Sequence, residues 1–288
     1  MTPLHAAAAL LIAATWGFNF TAIRFGLDEM APLTFAFWRF VLAALPILVV
    51  ARPAISWGAL AGIGGFMFAG QFVFLFLAMQ AGLPPGLTSV LVQLQGPLTA
   101  VLAALFLSER ALPGQWLGLA VAVAGVIVIG RSVEGSASAL AIGLALMSAL
   151  TWAVGNLFFR AARGASLFAI TAWASLMPAP PLAIAAFAIE GWQVALAPVL
   201  APTWKMWLSL LYTVVPVMWL GYVIWGTLLR TYPAAKAGPV SLLVPCFALV
   251  FAALVIDEPV GGWRLLGVVI VLGGVAVATF AAGRRSRP

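Results

Sequence analysis

Residues 103–128 read AALFLSERALPGQWLGLAVAVAGVIV, and residues 252–277, lying 149 positions later, read AALVIDEPVGGWRLLGVVIVLGGVAV. Aligned without a gap, the two 26-residue stretches share nine identities, among them Glu109 with Glu258, Gly118 with Gly267 and Gly125 with Gly274. Apolar residues match each other by composition alone, but a paired Glu and a common glycine register do not arise that way. Each stretch is a charged turn followed by an apolar run of about 20 residues, the length that crosses a bilayer as a helix. A weaker match pairs TWGFNFTAIR at 15–24 with TWAVGNLFFR at 151–160. The chain therefore reads as two halves, 1–135 and 136–288, forming one transmembrane domain.

Working outward, the composition agrees. Of 288 residues 65% are apolar and 7% are Asp, Glu, Lys or Arg, against about 25% charged in soluble domains. With 21 charged side chains, 14 basic and 7 acidic, no water-soluble surface can be assembled, so most of the surface must meet lipid. Breaks in the apolar runs predict ten helices at 4–25, 32–51, 57–80, 85–107, 113–130, 138–160, 166–189, 205–230, 236–256 and 262–282. The expected fold is all-α, an integral membrane protein of ten transmembrane helices. Five spans per half is an odd number, so the halves enter the membrane in opposite directions. Such an inverted repeat places a pseudo-two-fold axis in the membrane plane, with a site between the halves and alternating access as its mode of working.

An even number of spans puts both termini on one side. That side collects nine basic residues, ending in Arg284, Arg285 and Arg287, against four on the other. The bias predicts cytoplasmic N- and C-termini and turns the net charge of +7 into a topology signal, with anionic lipid as the partner of the terminal arginines. No nucleic-acid footprint is implied. One His (His5) and one Cys (Cys246) exclude a His/Cys metal site and a disulfide framework. Neither Lys205 nor Lys236 follows the glycine spacing of a phosphate-binding loop, so no ATPase module and no cofactor is expected.

The segments TWGFNFTAIRFG (15–26), PLTFAFWRF (32–40), LFLSERALPGQWLGLAVAVAGVIVI (105–129), WGTLLRTYPAAKAGPVSLLVPC (225–246) and DEPVGGWRLLGVVIVLGG (257–274) resemble the EamA-type branch of the drug/metabolite transporter superfamily. Within it they are most similar to exporters of O-acetylserine, cysteine or aromatic amino acids. The resemblance spans the chain, and the Glu turns before the fifth and tenth helices are its most specific mark. It implies a ten-helix bacterial inner-membrane exporter of small metabolites and names no single cargo.

Polar groups far from helix ends need a partner, a cavity or water. The first helix offers Trp16, Asn19 and Phe20, and the sixth offers Trp152 and Asn156; each Trp and Asn pair shares a helix face. Gln71 lies in the third helix, Gln93 and Gln95 in the fourth, and Ser241 in the ninth, while Trp219 and Tyr222 of the eighth add aromatic faces. These residues, Gln95 apart, are the expected substrate-binding set, with interhelical hydrogen bonding as the plainer alternative. Pro97 and Pro245 are expected to kink the fourth and ninth helices where the halves face each other, each freeing the carbonyl four residues earlier.

Arg39 is the one charge well inside a span. Either it snorkels outward or pairs with an acid such as Asp28, or it receives a substrate carboxylate. Glu109 and Glu258 are expected to be caps or partners of cations. No Asp or Glu falls at mid-membrane depth, so substrate is expected to move down its own gradient without a carboxylate proton relay. A neutral, amide- and aromatic-lined site suits a zwitterionic amino acid better than a cationic drug, and the absence of a usable nucleophile and base argues against an enzyme. Multidrug export within the same superfamily is the runner-up; a membrane enzyme or structural subunit comes after it. The sequence sets no oligomeric state.

Overall fold

The computed structural model describes residues 2–106, 112–131, 137–160, 162, 165–232 and 238–285. Among them there is no strand. Eight helices are long and apolar enough to cross a membrane: α1 (Pro3–Leu27), α3 (Trp57–Gln80), α4 (Pro85–Phe106), α5 (Pro113–Gly130), α6 (Ala139–Phe159), α7 (Leu167–Glu190), α8 (Trp204–Leu228) and α10 (Gly262–Ala281). Two further apolar helices are shorter, α2 (Pro32–Leu48) and α9 (Val240–Ile256). Between α7 and α8 lie two one-turn helices, Trp192–Ala195 and Ala197–Leu200, where the sequence reading expects only a connection.

The starts follow local chemistry. Proline occupies the first turn of α1, α2, α4 and α5, where its missing N–H costs no helix bond. Ser56, Ser166 and Thr203 cap α3, α7 and α8, each side-chain oxygen accepting from a backbone N–H three residues on. Asp257 ends α9 in the left-handed region at φ 53°, and Gly191 turns the chain after α7 at φ 88°.

Several helices are not uniform. α4 is two segments, Pro85–Val92 and Gln95–Phe106, separated by a turn just before Pro97. α9 opens as a 3₁₀ segment, Gly238–Leu242, and becomes α-helical at Leu243, just before Pro245. Both irregularities fall where a proline removes a donor. α3 and α8 each carry a π segment, Ile63–Gly70 and Val215–Leu220, widened turns of the kind that cluster at functional sites.

Two buried clusters hold the bundle. Phe35, Phe40, Phe68 and Phe76 centre one among α1, α2, α3, α7 and α8; Leu87, Leu91, Ala122, Ala145 and Val271 centre the other among α4, α5, α6 and α10. The apolar side chains Leu117, Ile127, Leu254 and Val269 are exposed on the outside, as lipid contact requires. α5 and α10 lie backbone to backbone. A Cβ on Gly118 would come within 2.5 Å of the Gly274 carbonyl oxygen, and one on Gly125 within 2.6 Å of the Val271 nitrogen and 2.9 Å of the Gly267 carbonyl oxygen. Gly118 thus faces Gly274 while Gly125 faces Gly267, so the two helices run antiparallel and the glycines matched in sequence are reciprocal in space.

Candidate functional site

A cavity of about 300 Å³ lies between the two halves of the chain. Its polar lining comes from Asn19 on α1, Gln71 on α3, Gln93 and Gln95 on α4, Asn156 on α6 and Ser241 on α9. Trp16, Phe20, Trp152 and Tyr222 supply aromatic surface. Nine of the ten residues expected from sequence to bind substrate therefore line one void. Trp219 does not; its indole donates to the Ala43 carbonyl at 3.3 Å and tethers α8 to α2. A Trp inside a span serves a buried carbonyl as readily as a cavity.

The prolines shape this wall. Pro245 leaves the Ser241 carbonyl without its helical donor, and the Gln93 side chain supplies one, Nε2 donating at 2.9 Å. α4 and α9 are thereby joined across the halves at their two irregular points. On the facing side Asn156 Nδ2 donates to Gln95 Oε1 at 2.8 Å and to Thr99 Oγ1 at 3.0 Å, fixing α6 to α4. The Gln71 carbonyl accepts from Ser148 Oγ at 2.8 Å, and Trp16 donates to the Val217 carbonyl at 3.1 Å. Trp16 also meets Tyr222 and Trp225, with ring centroids 6.0 and 5.6 Å away.

Arg39 departs from both parts of its plainer reading. It is wholly buried, so it does not snorkel, and Asp28 instead pairs with Arg24 at 3.1 Å. It lines the cavity with its guanidinium carbon 3.8 Å from the centre of the Phe72 ring. The expectation of a neutral site is corrected accordingly: the wall carries a cation and, among its residues, no acid.

Met67 and Met218 also line the cavity, and the sequence reading missed both. The signal was present as a third internal match, MFAGQ at 67–71 against MWLGY at 218–222, which overlaps the ends of the π segments of α3 and α8. It pairs Gln71 with Tyr222 as cavity residues, and Gly70 with Gly221, whose added Cβ would meet Thr151 at 3.1 Å and Trp16 Nε1 at 2.7 Å respectively. It also pairs Trp219 with Phe68, a core residue 1% exposed, consistent with Trp219 standing away from the cavity.

Polar clasps close one end of the molecule, the end that the charge bias expects to be outside. Glu190, at the end of α7, accepts from the backbone N–H groups of Leu33 and Thr34, both at 2.8 Å, and from Thr34 Oγ1 at 2.7 Å. Glu258, after α9, accepts from the N–H groups of Gly86 and Leu87 at 2.8 and 3.3 Å. Both carboxylates sit on the N-termini of helices of the other half, where the helix dipole favours negative charge. Burial pushes the Glu258 carboxyl above its ordinary value, outweighing those two N–H donors and the Arg264 charge. Glu258 is thus the cap expected, though for α4 rather than for its own helix; Glu109 falls outside the described residues.

The whole length has counterparts among known proteins. Residues 4–131 and 139–280 match the model of the EamA-like transporter family. The chain is 37% identical over 279 residues to the "Probable amino-acid metabolite efflux pump" of Escherichia coli strain K12, covering 94% of this chain and 93% of that protein. It is 27% identical to the "Probable terminal-alkyne amino-acid exporter" of Streptantibioticus cattleyicolor, over 93% and 91% of the two chains. A crystal structure sharing 18% identity superimposes with a TM-score of 0.62 over 99% of this chain and 100% of that one, which shows a shared fold. With a helical bundle whose apolar faces turn outward, a central cavity and matches of this extent, the chain is a multi-pass membrane protein and belongs to the EamA-like transporter family.

Proposed function

We propose that this protein is a secondary transporter that exports neutral and aromatic amino acids and related small metabolites by alternating access. The observation that carries the reading is the cavity, built by both halves and lined by one Trp and Asn kit from each, Trp16 with Asn19 and Trp152 with Asn156. Its volume lies at the small end of ligand sites, suited to a single amino acid. The amino-acid cargo is supported by what the relatives are named for.

In this reading α2 and α9 also cross the membrane, giving ten spans. Each has 17 residues, at the lower limit for a crossing helix. The halves 1–135 and 136–288 are inverted repeats, supported by the antiparallel, reciprocal glycine contacts of α5 and α10. The protein sits in a bacterial inner membrane with both termini in the cytoplasm, as the basic-residue bias favours. Substrate runs down its own gradient, since among the described residues no Asp or Glu lines the cavity.

Counterflow in liposomes tests this, with L-leucine, L-phenylalanine, L-cysteine and O-acetyl-L-serine as cargo and Asn19→Ala, Gln71→Ala and Trp152→Ala as variants. Exchange of at least one amino acid by the wild type, weakened in the variants, is the expected result. Undiminished flux in all three variants would mean that the cavity is not the binding site, and strict dependence on an imposed pH gradient would end the uniport reading.

A further inference from the structure

Arg39 has no structural partner that accounts for its place. It is 0% exposed, and its Nε, Nη1 and Nη2 all lack a hydrogen-bond partner although a guanidinium carries five N–H donors. A cation buried without an acceptor is strongly unfavourable in a membrane protein interior. The face of Phe72 recovers only part of that cost.

The half-buried indoles of Trp16, Trp38, Trp173 and Trp219, by contrast, each reach a backbone carbonyl. Nor does any acid among the described residues pair with Arg39; Asp257 is exposed beyond the end of α9. Asp28 is taken by Arg24, Glu29 by Thr203 and Lys205, and Glu190 and Glu258 by helix N-termini.

A second unmatched group stands on the same wall. Asn19 Oδ1 is a buried acceptor without a donor, in a residue 6% exposed that lines the same cavity. One unpaired cationic fork and one unpaired acceptor are the complement of a carboxylate beside an ammonium group. We propose that Arg39 and Asn19 form the head-group site for a free α-amino acid, with the Arg39 guanidinium taking the carboxylate and Asn19 Oδ1 accepting from the ammonium.

The ligand completes the charge balance that the protein leaves open, so an occupied cavity is the more stable one. An amine with no carboxylate meets the Arg39 charge uncompensated and is rejected. A carboxylate with no ammonium enters but leaves Asn19 unpaired. The inference deepens the amino-acid export reading and rests on it for the cargo; the anion-receiving role of Arg39 stands on the geometry alone.

The test uses the purified full-length protein. Melting temperature is followed against L-leucine, L-phenylalanine and O-acetyl-L-serine, against the primary amide and the deamino acid corresponding to each, and against sodium chloride. For at least one set the acid is expected to bind roughly 30-fold or more tightly than its amide, the scale expected for leaving a buried charge unpaired. In Arg39→Gln that preference shrinks to about threefold or less while affinity for the amide holds or improves, a pattern that general damage to the fold does not give. Arg39→Lys keeps the charge and loses the planar fork, so it retains part of the preference and serves if the Gln variant fails to fold. Asn19→Leu is expected to keep acid over amide and to lose amino acid over deamino acid.

Equal binding of acid and amide by the wild type, the full preference surviving in Arg39→Gln, stabilisation by chloride alone, or no stabilisation by any carboxylate would each overturn the proposal. Acid-selective binding without counterflow would remove the export reading and leave the Arg39 site standing. Counterflow without acid selectivity would do the reverse.

Discussion

Side chains that look alike in the sequence have different duties in the cavity wall. Trp152 lines the void and Trp219 does not, although both are indoles inside spans. Trp219→Phe is expected to leave counterflow within about twofold of wild type and to cost about 1 kcal/mol of stability, the worth of one hydrogen bond; Trp152→Ala is expected to lower flux at least tenfold at equal protein incorporation, being the larger loss of buried surface in the wall. Equal losses in both would put Trp219 back among the binding residues. The polar wall was legible because an amide in mid-span has few places to go. Placement of an indole was less so, since its single N–H is satisfied by any exposed carbonyl, and the sequence does not say which carbonyls the prolines and segment ends leave free. Arg39 was legible as an anomaly; its burial and its empty donors depend on the distant elements that surround it.

The eight long apolar helices and most of their boundaries followed from apolar length, but the internal breaks did not. Pro97 and Pro245 mark two of them. The π segments of α3 and α8 carry only Pro216 as an outward sign, and Ile63–Gly70 has no proline at all. The α3 segment is closely packed by another helix at Met67, where a Cβ added to Gly155 would lie 2.5 Å from the Met67 Cβ. Two predictions belong at this scale. Gly125→Leu inserts a branched side chain where the α10 backbone already sits within contact, and overpacking of this kind costs about 1–3 kcal/mol; a melting temperature unchanged from wild type would show that the α5–α10 seam yields. Glu258 titrates higher in the fold than its ordinary 4.5, so the folded protein binds that proton more readily than the unfolded chain does. Stability from this group therefore rises as pH falls from above the folded value toward 4.5, and is lost as pH rises again. Thermal melts across mildly acidic to neutral pH should show this slope, and Glu258→Gln should flatten it; a steeper slope in the variant would contradict the assignment.

At the scale of the molecule, two kinds of contact between the halves bear on movement. The ends are held by single polar clasps, Glu190 on α2 and Glu258 on α4 at one end. The indoles of Trp38 and Trp173, one from each half, latch onto the Ala195 and Val50 carbonyls at opposite ends. The α5–α10 seam is continuous backbone contact. In the alternating-access reading proposed above, rocking between two states breaks the clasps and spares the seam. In a Cys246→Ser background, cross-linking Thr34→Cys to Glu190→Cys should bring flux to background, with recovery on cleaving a reducible linker. Cross-linking Gly114→Cys to Ala281→Cys, across a seam where an added Cβ already lies 2.7 Å from its neighbour, should leave flux intact. Loss of flux in the second pair but not the first would reverse these roles.

The reciprocity of the glycine seam also bears on ancestry. Because Gly118 meets Gly274 while its sequence counterpart Gly267 meets Gly125, in the repeat reading proposed above a single half could make the same seam with an inverted copy of itself. Joining two such halves in one gene fixes the pairing, frees each copy to diverge, and explains how Arg39 can stand in one half of the cavity without a twin in the other.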